Sequence, residues 1–153
     1  MKRKLAILLM ISVILLISGC SLIKPDQLNE KVKAMLDRTV ARDANGMYEL
    51  LYPDITDKKD YRALAKSVFE YFPIEEGYTM KLQKYDRYVG INNSDRWETG
   101  QYLIQTGGAD YVILVKWYSD ENGSGFSVFN VLNEEDWNAY LQEKSTVDPS
   151  TSS

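Results

Sequence analysis

Histidine is absent from this chain of 153 residues, and cysteine occurs once, at position 20. Without histidine there is no Ser–His–Asp triad and no His-ligated zinc or haem. With a single cysteine there is no CxxC redox pair and no internal disulfide. An excess of positive charge is missing too. The 18 basic residues face 22 acidic ones, for a net charge of −4, which suits polyanionic nucleic acid poorly. The apolar run Leu5 to Ile17, interrupted by Ser12, spans about 20 Å as a helix, short of the ~30 Å hydrocarbon core of a bilayer. What the chain has in quantity is aromatic: eleven Tyr, three Trp and four Phe. Its hydrophobic content of 44% and charged content of 26% are those of one folded domain.

The N-terminus reads as an address. Lys2, Arg3 and Lys4 precede the short apolar run, and small residues follow it, the layout of a secretory signal. The run ends in Ile17-Ser18-Gly19-Cys20. This resembles a bacterial lipoprotein lipobox, with Ile17 where Leu is the more usual residue. The resemblance implies that the signal, residues 1–19, is cut before Cys20 and that the Cys20 thiol receives a diacylglycerol. Residues 20–24 are then a lipidated tether. The expected address is the extracytoplasmic face of the cell membrane, held by acylated Cys20. Cleavage removes three basic residues and no acidic one, leaving 15 against 22 and a net charge of −7. Such a chain is not drawn to anionic lipid by charge, so the acyl chains carry the anchoring.

Residues 25–143 read as a single α+β domain and 144–153 as a disordered tail of Ser, Thr and Pro. Leu28, Val32, Met35, Leu36 and Val40 form one apolar stripe on a helix over about 25–43, opened by Pro25. Asn45-Gly46 breaks the pattern. Met47, Leu50 and Leu51 mark a short second helix stopped by Pro53. Asp57 caps a third, about 58–72, with Tyr61, Leu64, Ala65, Val68, Phe69 and Phe72 on its buried face. After Gly77 the period becomes two. Tyr78, Met80 and Leu82 alternate inward, then Tyr85, Val89 and Ile91 take over, which predicts a bulge near Gln83-Lys84. Strands follow at 97–106, 111–118 and 126–132, with a tight Gly107-Gly108 hairpin. The third is apolar on both faces, hence central. Asn133 caps a short last helix, 134–142, with Trp137, Tyr140 and Leu141 inward. The expected architecture is N-terminal helices packed on a curved four-stranded antiparallel sheet, followed by a short C-terminal helix.

This order, and above all the passage from Ala41 through Asn45-Gly46 to Pro53-Asp54, resembles the nuclear transport factor 2-like superfamily of cone-shaped, cystatin-like α+β domains. The resemblance covers about residues 25–132. It departs from the superfamily in having no clear strand between the second and third helices. It implies a curved sheet wrapping the first helix, with room for a pocket at the wide end. Superfamily members include enzymes, ligand binders and dimerising modules, so fold analogy supplies no chemistry. The Asp–His pair used by some of its enzymes is impossible here.

Motifs of other kinds weaken on inspection. Ser21-Leu22-Ile23-Lys24 fits the letter of S-x-x-K but adjoins the anchor and lacks its partner motifs. Asp120 to Gly125 resembles half of a calcium loop, yet the twelfth position is Val131 and strands flank it. Glu75-Glu76 and Glu134-Glu135-Asp136 are adjacent carboxylates that point apart and are not presented as a hydrolytic pair. No catalytic residue, metal ligand or cofactor is therefore expected.

The aromatics on strands remain. Core and cross-strand packing is their ordinary role. As pocket residues the best candidates are Trp97, Tyr111 and Trp117, with Tyr48 or Tyr52 closing from the helices. Tyr111, Ile113, Val115 and Trp117 share one face, expected to be concave. The functional expectation is a membrane-anchored exported lipoprotein with a non-catalytic domain that binds a partner protein or forms a homodimer, and no nucleic acid. The alternative is a lipoprotein that binds a small molecule or peptide in an aromatic pocket, of immunity type; an enzyme is a third, weaker reading.

Overall fold

The structure is a computed structural model that describes residues 25–55, 61–91 and 94–147. The signal, Cys20, the tether, Asp57 and the stretch from residue 148 onward lie outside the described residues. Helix α1 (Asp26–Val40) is followed by α2 (Ala44–Glu49), a 3₁₀ turn (Pro53–Ile55) and α3 (Tyr61–Tyr71). Four antiparallel strands come next: β1 (Thr79–Val89), β2 (Arg96–Thr106), β3 (Ala109–Asp120) and β4 (Gly123–Asn133), with α4 (Glu134–Val147) last. The sheet order is β1-β2-β3-β4, a meander with β3 interior, as its apolar character predicts.

Period decides the α1 surface. Leu28, Val32, Met35 and Leu36 are buried against Tyr102 and Ile104 of β2, Ile113 and Val115 of β3, Phe72 and Phe126. Burial of each large apolar side chain contributes about 1.5–3 kcal/mol, so this stripe is the main attachment of helix to sheet. Thr39 is the polar residue on it; its hydroxyl donates to the Met35 carbonyl at 2.8 Å, which satisfies it without water. In β2 the even positions Gly100, Tyr102, Ile104 and Thr106 are buried. The face they share is the inner one, and odd positions face outward. The bulge predicted near Gln83-Lys84 is present as a register shift between Leu82 and Lys84. It keeps Tyr85 on the same face as Leu82, three residues apart.

Several boundaries differ from the sequence reading. Helix α2 includes Asn45-Gly46, because the Asp43 carboxylate accepts from the Gly46 N–H at 2.9 Å and starts the helix three residues early. Arg42 takes a left-handed φ of 52° in the turn before it. Leu64 is 61% exposed, so the buried side of α3 is narrower than its periodicity implied. Helix α4 begins at Glu134, where Asn133 accepts from the Asp136 N–H at 2.8 Å. It runs to Val147, into the stretch expected to be disordered; no Gly or Pro interrupts it before Pro149, and Lys144 complements its C-terminal dipole. Its Leu141 is 44% exposed, not inward. Helix α4 returns toward the outer face, where Trp137 borders a groove floored by Leu103 and Val112.

Candidate functional site

The inner face is filled by the chain's own side chains. Tyr111 is buried edge-on against Phe72, with ring centroids 4.8 Å apart. Trp117 meets Phe126 edge-on at 5.0 Å. Toward the end of the sheet where α1 begins, the packing becomes polar. The Tyr85 hydroxyl donates to Glu98 Oε1 at 2.7 Å, and Lys31 Nζ donates to Glu98 Oε2 at 3.4 Å. The same ammonium lies 4.4 Å from the Trp117 ring centroid, a cation–π geometry. The Tyr102 hydroxyl donates to Asn29 Oδ1 at 2.9 Å. Both Glu98 oxygens are thus engaged, and the cluster ties α1 to β1, β2 and β3. Burial, and then the Glu98 carboxylate, push the Tyr85 hydroxyl up to about 12. Burial raises Tyr102 as well. Sequence inspection missed Lys31, Glu98 and Tyr85 as a group. The available signal was Glu98 itself, an acid on the even, inward parity of β2.

The five aromatic candidates do not form one pocket. Tyr111 and Trp117 share the inner face, as expected from their alternation with Ile113 and Val115. Trp97 does not join them. Strand register pairs Glu98 with Trp117 and Trp97 with Tyr118, so Trp97 projects from the outer face. Tyr48 packs edge-on against Tyr61 of α3 at 4.6 Å. Tyr52 belongs to a short extension of the sheet. Its N–H donates to the Phe126 carbonyl at 3.1 Å, and the Phe126 N–H donates to the Leu50 carbonyl at 2.8 Å. Leu51 bridges Phe126 in parallel. This single bridge stands where the resemblance called for a strand between the second and third helices.

The outer face carries the aromatics that remain. Tyr88 stacks on Trp97 with centroids 5.4 Å apart and planes 16° apart. Lys116 Nζ lies 5.1 Å from the Trp97 ring centroid. Tyr118, directly opposite Trp97, meets Tyr52 edge-on at 5.1 Å. The Tyr52 hydroxyl donates to Asp120 Oδ2 at 2.8 Å. That bond is the main reason the Tyr52 hydroxyl is pushed up to about 12 and the Asp120 carboxyl is held below its ordinary range. Four rings therefore cross the sheet from β1 to the Tyr52 extension, one per chain segment. Gly125 makes the last step possible. It faces Tyr118 across the ladder, and a Cβ there would come within 2.4 Å of the Leu51 carbonyl carbon and of the Tyr52 nitrogen. The half-calcium-loop reading of Asp120 to Gly125 resolves into this β3–β4 turn, whose Asp120 accepts from the Asn122 N–H at 2.9 Å. Among the described residues, no three of Asp, Glu and Cys lie together as a metal site requires.

No family model and no curated protein sequence matches the chain. Its structure is similar to that of an uncharacterised protein with a cystatin-like fold from Caulobacter vibrioides, at a TM-score of 0.44 and 9% identity over 78% of this chain and 96% of that one. It is also similar to a LEH-like epoxide hydrolase from M. tuberculosis, at a TM-score of 0.35 and 14% identity over 79% of this chain and 95% of that one. Likeness at this level assigns neither family nor site residues to the chain.

Proposed function

We propose that this chain is an exported lipoprotein, anchored through acylated Cys20, whose α+β domain is a non-catalytic docking module that meets a partner protein, or a second copy, with the outer face of its sheet. The observation that carries this reading is the outer-face row of exposed Tyr88 and half-buried Trp97 and Tyr118, with the buried Tyr52 packed behind Tyr118. Tyr and Trp offer large, rigid contact area with a polar handle, and they are enriched at protein interfaces. The inner face supports it from the other side: the rings that would line a ligand pocket there, Tyr111 and Trp117, are packed against Phe72 and Phe126.

The test is site-specific photocrosslinking in cells that carry the full chain. A photoreactive phenylalanine analogue replaces Tyr88 or Tyr118 in turn, with Lys66, on the exposed side of α3, as the reference. Adducts of defined mass at Tyr88 and Tyr118 but not at Lys66 are expected. If the row yields no more adduct than Lys66, the docking reading is wrong.

A further inference from the structure

Toward the Gly107–Gly108 turn, the end of the sheet away from Trp97, the outer face carries aliphatic side chains in place of aromatic ones. Register sets Leu103 of β2 opposite Val112 of β3, and Val112 opposite Leu132 of β4. Leu103 and Val112 floor a groove of about 1320 Å³, walled on one side by α4. That exceeds the roughly 300–1,000 Å³ of small-molecule pockets and suits a length of polypeptide. Trp137 borders the groove, its ring stacked on Tyr140 with centroids 5.4 Å apart. The rim is acidic. Tyr111 pairs with Asn133, so Asp110, one residue before, and Glu134, one residue after, emerge side by side, and Glu135 follows on the same rim. Gln105 Nε2 donates to Asp110 Oδ1 at 3.1 Å, which positions that carboxylate without neutralising it. Glu75 stands at the same end, its carboxylate 3.8 Å from where a Cβ of Gly107 would be. Among the described residues, none of these four carboxylates is in an ion pair. Lys81, opposite Leu103 on β1, does not line the groove. Settling α4 onto the floor would press Glu134 and Glu135 against aliphatic side chains, which is costly without a cation to pair them.

We infer that this groove receives a basic, apolar segment of a partner protein. A bulky apolar side chain of that segment rests on Leu103 and Val112 beside Trp137, and its lysine or arginine side chains meet Asp110, Glu134 and Glu135. The inference gives the partner's chemistry and rests on the docking reading above, in that the partner lies on the outer face of the sheet. Charge complementarity selects the occupant. The described residues that line the groove include three carboxylates and no Lys or Arg. An acidic segment is therefore repelled, and a second copy of a chain of net charge −4 brings the wrong sign. Asn138 and Gln142 of α4 also line the groove, and their amides can bond the backbone of an extended segment. The apolar floor supplies affinity, while the rim supplies specificity and speeds encounter. Asp110, Glu134 and Glu135 are exposed, so salt screens the ionic part of the contact and leaves the apolar part.

The experiment uses the full, processed chain in nonionic detergent micelles, with empty micelles as the blank. The probe is the fluorescein-labelled peptide GKFKGKFKG, followed by fluorescence anisotropy. Saturable binding is expected, with none by GEFEGEFEG and weaker binding by GKSKGKSKG. Asp110→Asn, Glu134→Gln and Glu135→Gln together should weaken it about tenfold at low salt, the sum of three exposed pairs of modest strength. Glu30→Gln, Glu49→Gln and Glu121→Gln together make the same charge change on exposed residues that do not line the groove, and should weaken it far less. Asn138→Arg sets a cation on an exposed position of the groove wall, away from the core, and should weaken binding at least as much as the rim variant. No saturable binding of GKFKGKFKG, an equal loss from the two triple variants, or undiminished binding to Asn138→Arg overturns the groove. Equal affinity for GKSKGKSKG overturns the apolar contact, and the inference with it. Crosslinks at Tyr88 and Tyr118 without peptide binding overturn the groove alone. Peptide binding without those crosslinks overturns the aromatic row as the contact and leaves the groove standing.

Discussion

Gly125→Ala should destabilise the domain far more than a methyl group on a sheet ordinarily would. The new Cβ would sit 2.4 Å from both the Leu51 carbonyl carbon and the Tyr52 nitrogen and 2.6 Å from the Leu51 carbonyl oxygen. These are backbone atoms and cannot swing aside as a flexible side-chain end does. The segment must therefore lift off β4. Two hydrogen bonds go with it, Tyr52 N–H to the Phe126 carbonyl and Phe126 N–H to the Leu50 carbonyl, each worth about 0.5–1.5 kcal/mol net. Part of the Leu51 packing on the core is lost as well. The expected cost is about 2–4 kcal/mol, which for a domain of this size lowers Tm by about 8–15 °C. The assay is thermal unfolding of the processed chain followed by circular dichroism. Gly108→Ala is the comparison. Its φ is +81° and its Cβ would meet nothing within 4 Å, so its cost is backbone strain alone, about 1–2 kcal/mol. A Gly125→Ala variant as stable as wild type, or more stable than Gly108→Ala, would refute the argument that the close crossing of segment 50–52 holds the fourth ring of the row in place.

Two further outcomes are expected. Cys20→Ala should abolish incorporation of labelled fatty acid and block normal signal cleavage; a wild type without label, processed identically to the variant, removes the lipoprotein reading. Alkaline titration of the tyrosines, followed by NMR of their ring carbons, should separate two causes of the same shift. Tyr85 and Tyr52 both rise from 10.0 to about 12, Tyr85 chiefly through burial and Tyr52 chiefly through its bond to Asp120. Asp120→Ala should therefore return Tyr52 toward its ordinary value more fully than Glu98→Ala returns Tyr85. The sign for stability follows from a raised folded-state value: the Tyr85 contribution is intact below about pH 10 and is lost as pH climbs through about 12. A domain whose stability is flat across that window contradicts the assignment.

Much of this protein is written locally. The α1 stripe, the Asn133 cap and the phase flip at Gln83-Lys84 each depend on residues within a few positions of one another. Periodicity and side-chain chemistry therefore announce them. The proposed signal and lipobox are equally local, a pattern that processing enzymes would read as extended sequence. The second helix, by contrast, ends at Glu49, before Pro53, because Leu51 bridges Phe126. Alternation separates two sets of residues on each strand but does not say how one strand slides against the next. Only register placed Trp97 across from Tyr118, away from Trp117, and so divided the aromatic candidates between two faces. Burial within α3 and α4 was set by what lies over them: a helical period marks Leu64 and Leu141 as apolar-face positions, but a partner must be present to cover them, and both stay exposed. Lys31, Tyr85 and Glu98 meet only because α1 crosses the strands at that level. A contact between residues 67 positions apart leaves no mark on either neighbourhood. The sequence by itself determined the elements and supports, as a pattern, the proposed address at the membrane. Tertiary structure decided which rings fill the inner face and which lie on the outer one, because those depend on long-range packing.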